Sequence, residues 1–381
     1  MQSAASPEKP LTASTTASSA VDRELPWLFS ARVDLMTFLG SAVLALSLLL
    51  LGVPLGLVHS DMPDWLWVGM ILMIDAAHVY ATGFRVYFDR KELSKRPWLY
   101  GLTPLVSFAV AWIVYREGSV VFWRVLAYMA VFHFVRQQYG WLALYRAKAG
   151  ERSRGGWWID TTAIYAATLY PLLYWHTHLP RNFWWFKEGD FISIPPAFAT
   201  YAPLVYWISL ATYGLRSVIR AVLYQQYNPG KDLLLLTTAI CWYVGMVVFN
   251  SDFAFTVTNV ITHGVPYLVL VYWVRFRQTR ESNHVYRPHW ISFLAIVWAL
   301  AYVEEFLWDV GVWHERAWLF GTPQEWASSQ HLLVPLLVVP QITHYVLDGF
   351  IWKRRVNRYF ERETSTAVSS LSANPVAPSE R

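Results

Sequence analysis

Four histidines stand apart in this sequence because each lies inside a long apolar run: His78 in MIDAAHVYATGFR, His133 in AVFHFVRQQYGW, His263 in TNVITHGVPYLVLVYW and His344 in QITHYVLDGF. Imidazole is the commonest metal-binding side chain and titrates near neutral pH. Each histidine also has polar residues three or four positions away, which a helix places on the same face. Asp75 and Thr82 flank His78, Arg136 and Gln137 follow His133, Asn259 and Tyr267 flank His263, and Gln341 and Asp348 flank His344. A metal-bound histidine generally donates its other ring N–H to a carboxylate, amide or carbonyl, and so fixes its tautomer. Asp75 and Asp348 have the type and spacing for that role. A carboxylate inside an apolar run is costly unless it faces a partner or a water-filled site. The competing reading makes these side chains hydrogen-bonding links between helices, worth on average about 0.6 kcal/mol per pair.

The elements that must position these residues are membrane-spanning helices. Of the 381 residues only 15% are charged and 55% are hydrophobic, whereas soluble domains average about 25% charged. A spanning helix needs about 20 mostly apolar residues. Ten segments qualify, at roughly 33–58, 63–86, 98–115, 119–145, 157–175, 199–224, 232–250, 254–275, 290–310 and 331–353. The weakest are 98–115, which is short, and 290–310, which carries Glu304 and Glu305. The expected fold is all-α, a polytopic bundle of about ten transmembrane helices over residues 29–358, between disordered tails at 1–28 and 359–381. The first 20 residues lack the basic start and apolar core of a signal peptide.

Basic residues cluster in alternate loops: Arg90, Lys91, Lys95 and Arg96; Arg146, Lys148, Arg152 and Arg154; Arg216, Arg220 and Lys231; Arg275, Arg277, Arg280 and Arg287; then Lys353 to Arg358. By the positive-inside rule this places both termini in the cytoplasm of a plasma or inner membrane. The net charge of +5 is spread as this topology signal and needs no nucleic acid to explain it. The single cysteine, Cys241, excludes disulfides and cysteine-rich metal sites within one chain. Arg124 and Asp160 fall near helix ends, where they can snorkel, and Glu304 with Glu305 is expected near the outer surface, where one of the two can face inward but solvation at a helix end is the favoured arrangement. The longer outer loops, 175–196 and 311–330, are rich in Trp and Phe, as suits chain at headgroup level.

In this topology the four histidines occupy helices two, four, eight and ten, all running the same way. His78 lies 12 residues before Arg90, His133 lies 13 before Arg146, His263 lies 12 before Arg275 and His344 lies 9 before Lys353. At about 1.5 Å per residue they share a depth to within roughly one helical turn. Four imidazoles at one depth on four helices could meet at a point.

Several chemistries lack their residues. There are no HxxxH or HxxHH clusters of diiron desaturases, no phosphate-binding GxxxxGK[ST] loop and no GxSxG elbow, and His344 to Asp348 is one residue short of HxxxxD. Single histidines on separate helices, each near small or polar residues, resemble the pattern of the Brp/Blh family of membrane carotene dioxygenases. That resemblance implies iron held by four histidines, matched here to His78, His133, His263 and His344, and cleavage of an isoprenoid by oxygen. The chain departs from that family in lacking paired histidines on one helix and a Pro-His-Gly opening, and in having more helices. HFVRQQYG and THGVPYLVLVYW also resemble segments of an uncharacterised bacterial multi-pass membrane family, which implies no activity.

Four readings follow. The first is a non-haem iron oxygenase acting on a lipidic or isoprenoid small molecule, with zinc and copper equally suited to imidazole. The second is a haem-binding cytochrome using the histidines as axial ligands. The third is a transporter with a His/Asp proton relay, although no convincing inverted repeat is visible. The fourth is a structural membrane protein with buried polar links.

Overall fold

The computed structural model describes residues 25–60, 62–277, 289–324 and 329–352. The proposed terminal tails lie outside these residues, apart from the segment 25–28. Among the described residues the chain is helical throughout, with no strand. Ten long helices succeed one another: α1 Ala31–Gly52, α2 Asp64–Arg85, α3 Pro97–Arg116, α4 Ser119–Lys148, α5 Arg154–Thr177, α6 Ala202–Tyr224, α7 Pro229–Val248, α8 Asp252–Phe276, α9 Trp290–Trp313 and α10 Gln330–Ile351. Eight are long and apolar enough to cross a membrane. The chain is a multi-pass membrane protein. Helices are the natural solution here, because lipid offers no partner to a free backbone N–H or C=O.

The two helices outside that set are α5 and α6, not the segments 98–115 and 290–310 that looked weakest in sequence. Their Trp, Tyr, Thr and Arg content makes α5 and α6 less apolar. They pack closely on each other, and α5 also packs against α4 and α7.

The hub of the bundle is α8, of which 83% of the most apolar window is buried, more than in any other candidate span. It packs on α1, α2 and α7, while α10 packs on α2, α3 and α4. Two close approaches set the hub. A Cβ on Gly264 of α8 would lie 2.6 Å from Ile74 Cγ2 and 3.2 Å from Ile74 O in α2. A Cβ on Gly245 of α7 would collide with the hydroxyl of Thr258 in α8. Both positions therefore require glycine.

Helix α2 is π-helical over Val68–Ala76, immediately before His78. Shorter wide turns of the same kind occur in α1, α7, α8 and α9. The loop after α5 folds back as an aromatic cluster in which Trp175, Phe183, Trp185 and Phe191 pack on Phe134 and Phe255.

Candidate metal centre

The four histidines come together at the junction of α2, α4, α8 and α10. All are buried, at 1–5% exposure. His263 Nε2 lies 3.1 Å from His78 Nε2, and His344 Nε2 lies 3.2 Å from His133 Nε2. Ring centroids of His133 are 5.2 Å from His263 and 4.6 Å from His344, and those of His78 and His344 are 4.9 Å apart. Ligand nitrogens of His78, His133 and His263 all fall within 4.8 Å of one another. With a metal–nitrogen bond of about 2.0–2.1 Å, contacts of this length correspond to ligand–metal–ligand angles of about 95–105°, between octahedral and tetrahedral values.

One chain of hydrogen bonds determines the tautomer of His344. The Tyr267 hydroxyl donates to Asp348 Oδ1 at 2.6 Å. With that proton committed, the 2.8 Å contact between Tyr267 and Thr82 is a donation from Thr82. Thr82 Oγ1 must then accept from His344 Nδ1, 2.7 Å away. The ring proton therefore sits on Nδ1, and the Nε2 lone pair faces the other imidazoles, as a ligand requires. Trp352 Nε1 supports Asp348 from the end of α10 at 3.2 Å. Asp348 thus acts on His344 through Tyr267 and Thr82, its own Oδ1 being 3.8 Å from His344 Nδ1. Its Oδ2 is 4.0 Å from His133 Nε2, and His133, His344 and Asp348 form a second cluster of metal-ligating types.

Aromatic rings fix the other imidazole planes. Phe134 stacks on His263 with centroids 3.4 Å apart and 7° between planes, and Tyr345 stacks on His133 at 4.7 Å. Asp75 Oδ1 lies 3.7 Å from His78 Nδ1, too far for a hydrogen bond. Asp75 Oδ1, His78 Nδ1, His263 Nδ1, Asn259 Oδ1 and both amide atoms of Gln137 are buried without a hydrogen-bond partner. Buried polar atoms are nearly always satisfied, so such a concentration on helices α2, α4 and α8 fits a site that takes a polar or ionic guest.

The remaining polar neighbours are arranged differently. Asn259 donates to the Phe255 carbonyl and to Thr258, within its own helix. Gln341 bonds to Tyr345, one turn along α10. Arg136 turns away to the Tyr165 hydroxyl and stacks on Tyr139. Spacing along one helix could not separate these cases, because the partners belong to other helices. Thr82 carries more of the geometry than its spacing implied, while Phe134 and Tyr345 adjoin their histidines in sequence and gave no periodic signal. Trp352, four residues after Asp348, was legible by spacing.

Two expectations about charge change. Glu304 points inward and accepts from Tyr80 and from Trp308 Nε1 at 3.3 Å, because α9 packs its inner face on α2. Asp160 is fully buried in an ion cluster with Arg146, Arg216 and Lys231 and does not snorkel. No protein-family model, curated protein or solved structure matches the chain.

Proposed function

We propose that this protein is a membrane-embedded enzyme with a mononuclear non-haem metal centre held by His78, His133, His263 and His344. The observation that carries the reading is the pair of Nε2 contacts at 3.1 and 3.2 Å, joining four helices far apart in sequence. Imidazole donors suit iron, zinc and copper. Iron, and oxygen-dependent attack on a lipidic or isoprenoid substrate, follow from the resemblance to the four-histidine carotene dioxygenases. When bound, the metal would supply a site for oxygen and for polarising an apolar substrate's double bond. The chain's own residues do the rest: Thr82, Tyr267 and Asp348 hold the proton on His344 Nδ1, while Phe134 and Tyr345 orient rings and exclude water. A haem centre fits less well, since axial ligands must stand on opposite faces of a macrocycle and these imidazole edges touch, with Phe134 against His263.

In the same proposal all ten long helices cross a plasma or inner membrane, with both termini in the cytoplasm. Because α5 and α6 are consecutive, the orientation of every other helix is the same whether or not this pair crosses. The test is metal content and the visible spectrum of detergent-purified protein, beside His78→Ala and His344→Ala variants. The expected result is about one non-haem iron per chain, lost in folded variants. A well-folded wild type free of metal after expression with iron, zinc and copper supplied would refute the centre and leave the histidines as interhelical hydrogen bonds. A haem absorption band would move the assignment to a cytochrome.

A further inference from the structure

A second polar assembly lies at the end of the bundle where α4, α5, α6 and α7 meet. The loop between α4 and α5 carries Glu151, which accepts from Lys231 Nζ at 2.7 and 2.9 Å, from Asn228 Nδ2 at 2.9 Å and pairs with Arg220 Nη1 at 2.7 Å. Asp160, nearly two turns into α5, accepts from Lys231 Nζ at 3.0 Å, from Arg216 Nη1 at 2.8 Å and from Arg146. Gly156 leaves room for this, since a Cβ there would overlap the Arg216 guanidinium. Arg146 also clamps the loop by donating to the carbonyls of Glu151 and Ser153. Burial works to raise the Glu151 carboxyl, but Lys231, Asn228 and Arg220 outweigh it and hold it at about 2.

The assembly is not neutral. Arg146, Arg216, Arg220 and Lys231 are joined at its rim by Arg152 and Arg154, which have no partner among the described residues. Four cations, Arg146, Arg216, Arg220 and Lys231, face the three carboxylates of Glu151, Asp160 and the adjacent Asp232, leaving one positive charge in excess, and the exposed Arg152 and Arg154 add two more at the water-facing rim. Beside this surplus is a cavity of about 410 Å³ lined by Arg146, Glu151, Arg152, Arg154, Tyr139 and Trp157. The indole of Trp157 donates to the Tyr139 hydroxyl at 3.3 Å, closing one wall. Trp158, exposed beside it, is the residue type that anchors at headgroup level.

We propose that this cavity binds a phosphate group, with Arg152 and Arg154 as its contacts, while Arg146, whose Nη donors are committed to Asp160 and to Glu151 and Ser153, holds the loop that carries them. Guanidinium forks match phosphate oxygens two at a time, and the start of the 24-residue helix α5, at Arg154, adds a positive dipole end. Basic pockets between transmembrane helices accept lipid headgroups, so the phosphate can come from an anionic lipid or from a soluble phosphate. The proposal is independent of the histidine centre.

The test uses the full chain in neutral detergent with dioctanoyl phosphatidylglycerol, dioctanoylglycerol and inorganic phosphate as probes, read by native mass spectrometry and by competition. Two double variants of equal charge change are compared, Arg152→Gln with Arg154→Gln, and Arg90→Gln with Lys91→Gln in another basic loop. All four side chains are exposed, and helix content checks that both variants fold. The expected result is one phosphatidylglycerol per chain, bound at least about ten-fold more weakly by the Arg152/Arg154 variant and unchanged in the Arg90/Lys91 variant. Inorganic phosphate that competes only weakly with this lipid assigns the lipid as source. Phosphate that binds as well as the lipid assigns a soluble ligand, and both results support the site. Equal loss in the two double variants, equal binding of dioctanoylglycerol, or no binding of either phosphate compound to folded wild type would overturn it.

Discussion

Replacing Thr82 with Val tests whether the tautomer of His344 is set from outside the histidine cluster. The side chain keeps its shape but loses the oxygen that sits 2.7 Å from His344 Nδ1 and 2.8 Å from the Tyr267 hydroxyl. Two hydrogen bonds, each worth about 0.5–1.5 kcal/mol net, disappear, and an orphaned buried donor costs about 1–3 kcal/mol. The ring can escape part of that cost by moving its proton to Nε2, where it meets the His133 nitrogen and blocks the ligand lone pair. Loss of the group that orients a ligand generally costs about 10–100-fold in metal affinity, or about 1.4–2.8 kcal/mol. In the proposed metal centre, competition with a graded series of chelators should therefore strip metal from Thr82→Val at a concentration about 10–100-fold lower than from wild type. Thr82→Ser, which keeps the oxygen, should stay close to wild type. Tyr267→Phe should fall between them, because Thr82 remains while its link to Asp348 is cut. Wild-type metal retention by folded Thr82→Val, in a protein that does lose metal on His344→Ala, would refute the hydrogen-bond chain as the source of the tautomer.

Two further perturbations probe the scaffold. Gly264→Ala places a methyl 2.6 Å from Ile74 Cγ2 and close to the Ile74 carbonyl, so α8 and α2 must separate at a cost of about 1–3 kcal/mol; a lower melting temperature in detergent is expected, with Gly140→Ala, where the methyl meets nothing within 4 Å, as the unaffected comparison. The Glu151 carboxyl is held at about 2 in the folded chain against an ordinary 4.5, so its contribution is present above about 4.5 and is lost as pH falls toward about 2. Thermal melts across that interval should fall more steeply for wild type than for Glu151→Gln, and parallel curves would remove Glu151 as the acid-sensitive group.

The helices themselves were legible because a membrane reduces the choice of backbone structure to one, and an apolar run of sufficient length announces it. The shared depth of His78, His133, His263 and His344 was legible for a related reason: rise per residue is constant, so counting to the basic end of each helix measures position along the membrane normal. Rotation about each helix axis is different. It depends on which neighbours pack where, and only the tertiary structure decided it. Hence Asp348, in register with His344 along α10, reaches it through Thr82 of α2 and Tyr267 of α8. Arg136 has the spacing to face His133 yet points to Tyr165 of α5, and Glu304 meets Tyr80 of α2 where solvation at a helix end was the favoured of two arrangements. Asp160 finds its cations on α4, α6 and α7, up to 71 residues away. Spacing along one chain segment specifies a face. What that face meets is settled by close approaches such as Gly264 against Ile74 and Gly245 against Thr258, where the absence of a side chain lets two helices choose each other.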